Sequence, residues 1–227
     1  MSGSSVSAML RDGCEPAWSG LADHPFVRRL ADGTLEPERF RFYLEQNLFY
    51  LPRYARVMAL GVAKARDERE LRLFAAALHQ VIEVEIPENR ELLQRVCELG
   101  AADRGGADEP APGALAYTSW LESVAGAGGT PEILAAVLPC TWSYGEIAKR
   151  LVPAAAPHPI YSDWLRFFAG DAYSEVVDRM RRDTDELIGD ADLEPLADIF
   201  RTGVRLERGF WDMAFGLADW SKAPSDI

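Results

Sequence analysis

The feature that constrains the fold most is the near absence of β-strand signals along the chain. No stretch sustains an alternation of apolar and polar residues, and no Asn-Gly or Asp-Gly hairpin turn separates two such stretches. Apolar residues recur instead at three- and four-residue spacing, for example at Phe40, Leu44, Leu48 and Leu51. That spacing places them on one face of a helix. The sequence therefore predicts an all-α fold.

The helical pattern continues through most of the chain, with few interruptions. Pro52 removes a backbone donor inside the pattern, so we expect a break or kink there. Residues 100–112 and 153–159 are rich in glycine, proline or both, and are expected to be loops. We find no fixed repeat and no linker between two cores. The sequence predicts a flexible segment at residues 1–20 and one helical-bundle domain at residues 21–221, with about nine to eleven helices of ordinary length.

The chain is acidic, with 24 basic residues against 36 acidic ones and a formal net charge of -12. Because phosphate contacts draw their affinity from clustered lysine and arginine, we expect neither nucleic acid nor a membrane surface as a partner. No segment approaches the ~20 apolar residues of a membrane span, and no signal-peptide pattern is found. We therefore expect a soluble, cytoplasmic protein. Helices with apolar residues on more than one face also favour a homo-oligomer.

The cysteines fit neither a disulfide scaffold nor a zinc site, because Cys14, Cys97 and Cys140 are odd in number and lack CxxC spacing. Cys140 follows Pro139 inside an apolar helical stretch, and Tyr144 lies one turn further on. The proline opens the helix locally and can expose the thiol to a cavity. With a partner that accepts its proton, such a thiol is a nucleophile. Composition alone favours a buried structural cysteine.

A glutamate and an amide–phenol pair are the other candidates for chemistry. Glu207 lies on an aromatic-rich helix, where a carboxyl can have a raised pKa and act as acid or base. Its alternative is an exposed glutamate paired with an arginine. Asn47 and Tyr50 project from one helix face and could bind the edge of a flat heterocycle, although a contact between helices is common for such a pair. Tyr117 and Phe168 are by themselves typical core residues.

Patterns for metal ions and nucleotide cofactors are missing from the sequence. None of the three histidines, His24, His79 and His158, occurs in the Glu-x-x-His spacing of helical di-iron proteins. There is no glycine-rich phosphate loop and no Gly-x-Ser-x-Gly motif. We therefore expect a protein that works without a metal ion or another cofactor.

Four segments, in order along the chain, resemble conserved blocks of the TenA (thiaminase II) family. The first is HPFVRRLADGTLEPERFRFYLEQNLFYLPRYARVMALGVAKA, which resembles the family opening. The second is LPCTWSYGEIAKRL, which is similar to a Leu-Pro-Cys-x-Trp-x-Tyr block. The remaining two are YSDWLRFFAGDAYSEVV and the Glu-x-x-Phe-Trp ending LERGFWDMAF. The resemblance extends from about His24 to Phe215.

This resemblance implies a heme-oxygenase-like helical bundle without heme, usually a homotetramer, with a dimer as the smaller alternative. It also implies a hydrolase that releases an amine from an aminopyrimidine in thiamin salvage or degradation. By position, Cys140 matches the nucleophile and Glu207 the catalytic acid or base. The tyrosines that match residues lining the substrate pocket are Tyr50, Tyr117 and Tyr144.

Two positions depart from the family pattern. Asn47 stands where the family has an aspartate that pairs with the ring nitrogen and exocyclic amine of the pyrimidine. Phe168 stands where the family generally has a tyrosine. A polar site built for one hydrogen-bond pattern discriminates strongly against another. We therefore expect a substrate shifted toward a modified pyrimidine or related amine, with weak cleavage of thiamin.

Two other functions stay open at this point. The first is a non-catalytic member that binds a small ligand, with a regulatory role. The second is a cofactor-using oxidase of the same helical superfold, similar to the pyrroloquinoline quinone synthases. The sites of those oxidases are rich in histidine and basic residues, which this chain lacks at the matching blocks. Hydrolysis is favoured over ligand binding, and ligand binding over oxidation.

Overall fold

The computed structural model describes residues 5–103, 108–189 and 193–221. Within these ranges the chain forms eleven α-helices, one π-helical turn and one 3-10 turn, and it forms no strand. The predicted all-α fold is confirmed. The helices are α1 (Val6–Asp12), α2 (Ala17–Leu21), α3 (Pro25–Ala31), α4 (Pro37–Lys64), α5 (Glu68–Gln80), α6 (Ile86–Glu98), α7 (Pro112–Ala127), α8 (Thr130–Leu151), α9 (Tyr161–Ala169), α10 (Asp171–Ile188) and α11 (Leu193–Gly216).

Two long helices, α4 and α8, form the centre of the bundle. Every residue from Ile133 to Pro139 in α8 is buried, because this helix packs against α7, α9, α10 and α11. Helix α4 packs against α5, α6 and α7. A helix that is apolar on most sides has to lie inside the molecule, and α8 follows this rule. No helix in the described ranges has the length and apolarity to cross a membrane.

Helix α4 runs without interruption through Pro52, which differs from the break that we expected there. Proline removes the hydrogen bond that its own N–H would make to the carbonyl four residues earlier. The flanking Leu51 and Tyr54 are both buried against neighbouring helices. Packing on both sides of the proline therefore offsets the loss of one backbone hydrogen bond.

A π-helical turn, Val81–Glu85, joins α5 to α6. Pro87, in the first turn of α6, has no N–H to donate to a carbonyl of that turn, which favours a change of helical register. Val81 is buried and Ile82 is exposed, whereas Glu85 lines an internal cavity. Turns of this kind occur frequently at functional sites. The irregular turn therefore directs a carboxyl group inward.

The flexible segment that we expected over residues 1–20 includes residues 1–4, which lie outside the described residues. From residue 5 onward it carries α1 and α2, and both Leu10 and Trp18 are buried. The Trp18 ring stacks on Phe200 and packs edge-on against Trp142. A short terminal segment becomes ordered when a few large side chains dock into the core. The described part of this segment therefore belongs to the bundle.

Candidate active site

The contact between α8 and α11 brings Cys140 and Glu207 together. Gly203 on α11 lies so close to α8 that a Cβ atom there would be 2.8 Å from Cγ of Pro139. Cys140 follows this proline, and Glu207 lies one helical turn after the glycine. The Cys140 thiol and the Glu207 carboxyl lie close enough for each group to shift the pKa of the other. Because Gly203 has no side chain, α8 and α11 approach each other closely. This approach sets the distance between the thiol and the carboxyl.

Glu207 is held in a buried position by a hydrogen bond from Tyr117. Only 1% of its surface is exposed, and the Tyr117 hydroxyl donates to Oε1 at 2.5 Å. Burial raises the pKa of Glu207 to about 7, while the hydrogen bond from Tyr117 and the nearby Cys140 thiol act in the opposite direction. Near neutral pH this carboxyl therefore exists in both protonation states, as a general acid–base group requires.

The Cys140 thiol is poorly ionised on its own. Burial raises its pKa well above the usual value, and the negative charge of Glu207 raises it further. The nearby Tyr50 hydroxyl lowers the pKa of this thiol. That hydroxyl is buried, yet it completes no hydrogen bond of good geometry with another described group. The thiolate therefore depends on proton transfer to a neighbour, and Glu207 is in contact to accept the proton.

Aromatic rings surround the thiol and the carboxyl. Tyr50 packs against Tyr117 with ring centroids 5.1 Å apart, and against Phe210 at 5.7 Å. Tyr144 packs against Phe168 with ring centroids 4.9 Å apart. Ring faces at these separations provide stacking surfaces for a flat heterocycle. Phe210, which the sequence analysis did not single out, belongs to this enclosure.

A small cavity of about 20 Å³ opens between α4, the π-helical turn, α6 and α9. Two of the predicted site residues, Asn47 and Phe168, line this cavity, together with Tyr43. The structure does not place Cys140 or Glu207 among its walls. Tyr43 lies between the cavity and the aromatic cluster around Cys140 and Glu207. It lines the cavity, and its hydroxyl donates to the hydroxyl of Tyr144 at 3.4 Å.

The amide of Asn47 is fixed in one orientation by a short relay of hydrogen bonds. Asn89 is buried, and its Nδ2 donates to the Leu44 carbonyl at 2.9 Å. Its Oδ1 must then face Asn47 and accepts from Nδ2 of Asn47 at 2.9 Å. Oδ1 of Asn47 receives no hydrogen bond from a described residue. The relay therefore leaves a carbonyl oxygen of Asn47 as an acceptor for a ligand in the cavity.

Glu85 is a site residue that the sequence analysis missed. It lines the same cavity as Asn47, and within the described ranges it makes no hydrogen bond and no ion pair. Burial raises the pKa of Glu85 to about 7, and its charge in turn raises the pKa of Cys140. The one signal in the sequence is indirect, because Pro87 disturbs the helix two residues later.

Two of the three histidines, His24 and His158, make hydrogen bonds within the fold. Nδ1 of His24 accepts from the backbone of Phe26, and Nε2 is 2.9 Å from Oδ1 of Asp212. Nδ1 of His158 accepts from the backbone of Ile160 and Tyr161. Across the described parts of the chain, no group of three histidine, cysteine, aspartate or glutamate side chains converges as a metal site would require.

Similarity to known proteins extends over almost the whole chain. The TENA/THI-4/PQQC family matches residues 11–216. A relative from Halalkalibacterium halodurans, named aminopyrimidine aminohydrolase, is 39% identical over 223 residues, which cover 96% of this chain and 98% of the relative. A relative with the same name from Bacillus subtilis is 34% identical, covering 90% of this chain and 87% of the relative.

Solved structures agree with the sequence comparison. A TenA homologue from P. horikoshii superposes with a TM-score of 0.84 at 31% identity, covering 94% of this chain and 99% of that chain. A domain of Shewanella denitrificans described as having a heme oxygenase-like fold superposes with a TM-score of 0.67 at 13% identity, covering 92% and 91%. The predicted heme-oxygenase-like architecture is therefore confirmed. On the extent of these matches, the chain belongs to the TENA/THI-4/PQQC family.

Proposed function

We propose that this chain is an enzyme that hydrolyses an aminopyrimidine in thiamin metabolism, with Cys140 as the nucleophile and Glu207 as the acid–base group. The observation that carries the proposal is the proximity of this thiol to a buried carboxyl that Tyr117 holds in place. The names of the two relatives, both aminopyrimidine aminohydrolases, support the same reaction. The ring-lined surroundings suit a flat heterocycle.

The first step transfers the thiol proton from Cys140 to Glu207. The thiolate then forms a C–S bond to an electron-poor carbon of the pyrimidine ring. The electron pair of the ring C=N bond moves onto the ring nitrogen, which takes the proton from Glu207. A carboxyl with a pKa of about 7 exchanges protons in both directions near neutral pH, so one residue serves as base and then as acid.

The second step breaks the bond between the exocyclic methylene carbon and the leaving amine. The lone pair of the ring amino group drives this step, and the amine departs with the electron pair of its C–N bond. Oδ1 of Asn47 is placed to accept a hydrogen bond from a ring amino group that becomes more positive. An amide oxygen stabilises that charge less than a carboxylate does. Water then adds to the methylene carbon, the ring nitrogen returns its proton, and the thiolate leaves.

Amine release separates this proposal from the alternative of a protein that only binds a small ligand. Purified protein is incubated with an aminomethyl-pyrimidine, and both the affinity and the released ammonia are measured. We expect binding together with ammonia release well above the rate in buffer, with hydroxymethyl-pyrimidine as the second product. Saturable binding without ammonia release would support the ligand-binding alternative and contradict hydrolysis.

Asn47 and Phe168 also support a shifted substrate preference. Phe168 provides a ring edge where a tyrosine would provide a hydroxyl, and its ring packs directly on Tyr144. We therefore propose that thiamin is cleaved slowly compared with an aminomethyl-pyrimidine. Steady-state kinetics on both compounds measures this preference. Equal and high kcat/KM values for the two compounds would show that the two substitutions have not changed the preference.

We also propose that the chain works in the cytoplasm as a homo-oligomer, a tetramer or a dimer. Support comes from large apolar side chains exposed on three elements that contact one another, namely α4, α5 and the π-helical turn. These side chains are Leu60, Leu71, Ile82 and Val84. Apolar surface of this kind is typical of contacts between subunits. Light scattering after size-exclusion chromatography gives the mass, and a monomer at micromolar concentration would contradict the proposal.

A further inference from the structure

We propose that Glu85 binds the ammonium group of the substrate and then accepts a proton from the water molecule that replaces the amine. This inference rests on the proposed function, because it assigns the leaving-group side of the same reaction. It gives the site a second carboxyl, with a task separate from that of Glu207. Glu207 acts at the thiol and the ring nitrogen, whereas Glu85 acts at the departing amine.

Glu85 is connected to both parts of the site. It lines the cavity together with Asn47 and Phe168, and its charge acts on the Cys140 thiol. It also acts on Tyr54 and Tyr173, two tyrosines that hydrogen-bond to the residue after the cysteine. Glu85 and Glu88 both line the cavity, and of these two it is Glu85 whose charge acts on the Cys140 thiol.

The electrostatic surroundings of Glu85 favour a cationic ligand. Burial and the charges of nearby carboxylates raise the pKa of Glu88, a second carboxyl at the cavity, while the positive charge of Arg95 acts in the opposite direction. The only effect on Glu85 is burial, which raises its pKa to about 7, and no described lysine, arginine or histidine pairs with it. A carboxylate in a cavity that contains no positive charge is stabilised most by a ligand that carries a positive charge. An aminomethyl group is protonated near neutral pH and supplies that charge.

The proton balance of the reaction is complete with this residue. The protonated amine leaves as ammonia and takes the electron pair of the C–N bond. Water forms the new C–O bond, and the proton that it loses goes to Glu85. Glu85 then passes this proton to the departing ammonia, which leaves as ammonium. The net change is hydrolysis of an aminomethyl group to a hydroxymethyl group, with no other reactant required.

The test measures binding on a background that cannot turn over. Calorimetry compares an aminomethyl-pyrimidine with the matching hydroxymethyl-pyrimidine, using Cys140→Ala with and without Glu85→Gln. We expect Glu85→Gln to weaken binding of the amine about tenfold or more, since a charge-assisted hydrogen bond is lost. Affinity for the neutral hydroxymethyl compound should change less than about twofold. The matched control is Glu83→Gln, which removes an exposed carboxyl from the same π-helical turn.

The outcomes distinguish this inference from the proposed function. Equal losses for both compounds, or no loss for either, would overturn the role of Glu85 whatever the activity of the wild type. In the otherwise wild-type enzyme, Glu85→Gln should raise KM and lower kcat for the amine without lowering the melting temperature. A protein that binds both pyrimidines but releases no ammonia would refute the proposed hydrolysis, while the binding contrast would still test Glu85.

Discussion

Glu207 combines two properties that rarely occur together, near-complete burial and availability to accept a proton. Carboxylates are seldom buried without a partner, and here Tyr117 provides a hydrogen bond that partly offsets the loss of hydration. The pKa is about 7 in the folded chain, against a usual value of 4.5. Between these two values the folded state holds a proton that the unfolded state releases. The free energy of unfolding therefore falls as the pH rises from 4.5 to about 7.

Glu207→Gln is expected to remove activity and to stabilise the folded chain at alkaline pH. Glutamine stays neutral, and its carbonyl oxygen still accepts from Tyr117. The variant should match the wild type at pH 5 and exceed its free energy of unfolding at pH 8 by on the order of 1–3 kcal/mol. Urea unfolding at the two pH values measures this difference. A Glu207→Gln variant that is less stable than the wild type at pH 8 would contradict the prediction that Glu207 is a buried carboxylate, ionised at that pH.

The rate of the enzyme should depend on pH in the direction set by the same carboxyl. Glu207 has to be ionised to accept the thiol proton, so kcat/KM for an aminomethyl-pyrimidine should rise as the pH increases through about 7. Glu85 has its pKa raised to about 7 as well and acts in the same direction. A pH–rate profile tests this expectation. A kcat/KM that falls between pH 6 and pH 8 would contradict it.

Asn47→Asp is expected not to restore the family pattern by itself. The carboxylate would face Oδ1 of Asn89, an acceptor whose orientation is fixed by the Leu44 carbonyl. Either two acceptors oppose each other or Asn89 turns and loses its own hydrogen bond, at a cost of about 1–3 kcal/mol. Thermal unfolding and kinetics on thiamin measure the result. A variant as stable as the wild type with faster thiamin turnover would show that the relay does not constrain this position.

The reactive residues could be predicted from the sequence only in part. Cys140 and Glu207 were identified through the order of the family blocks, because neither a lone cysteine nor a lone glutamate is distinctive. The hydrogen bond from Tyr117 to Glu207 joins residues 90 positions apart and depends on helix packing. Glu85 stayed hidden because a glutamate in a helix is usually solvated. Its inward direction depends on the π-helical turn, which has no strong sequence signal.

At the scale of helices, the spacing of α8 and α11 determines whether the thiol and the carboxyl meet. Gly203 and Pro139 form the closest part of this interface, directly beside Cys140 and one turn before Glu207. Proline is rigid, so it cannot yield to a larger neighbour as a flexible side chain would. Because protein interiors are packed without voids, a shift at Pro139 also displaces the residues next to it.

Gly203→Ala should therefore separate the two reactive groups. The added methyl group would lie 2.8 Å from Pro139, and such overpacking costs about 1–3 kcal/mol. We expect kcat to fall about tenfold or more, because small displacements of reacting groups are costly. The matched control is Gly209→Ala on the same helix, where a Cβ atom meets nothing within 4 Å. Unchanged kcat in Gly203→Ala, with the control also unchanged, would contradict this role.

The sequence predicted the existence of the helices better than their continuity. The expected break at Pro52 is absent because tertiary contacts on both sides hold α4 together. At Pro87 the effect is a local change of helical register rather than a break. In both places the contacts with neighbouring helices decide the result, and these contacts cannot be read from a single sequence.

At the scale of the whole molecule, the N-terminal helices close one side of the bundle. Helix α1 contacts α10 and α11, and α2 contacts α8 and α11, so both support helices that hold the candidate site. Trp18 is the main anchor, and its Nε1 donates to Glu146 on α8 at 3.1 Å. The sequence suggested flexibility because this segment is short and its terminus is rich in serine.

Trp18→Ala should cost about 3–5 kcal/mol of stability, as for other large side chains removed from a core. The matched control is Trp220→Ala, because Trp220 is 56% exposed. Its removal should change the free energy of unfolding by less than about 1 kcal/mol. Urea unfolding of both variants measures the contrast. Equal effects would show that the N-terminal segment is not part of the folded core.

The nucleophilic role of Cys140 is tested most directly by ammonia release from an aminomethyl-pyrimidine. The comparison uses the wild type, Cys140→Ala and Cys97→Ala, since Cys97 is a free cysteine on the surface. Covalent catalysis predicts a loss of about a thousandfold or more in kcat for Cys140→Ala. Cys97→Ala should keep the wild-type kcat, and all three proteins should fold alike by circular dichroism. A Cys140→Ala enzyme within tenfold of the wild type would contradict covalent catalysis by this thiol.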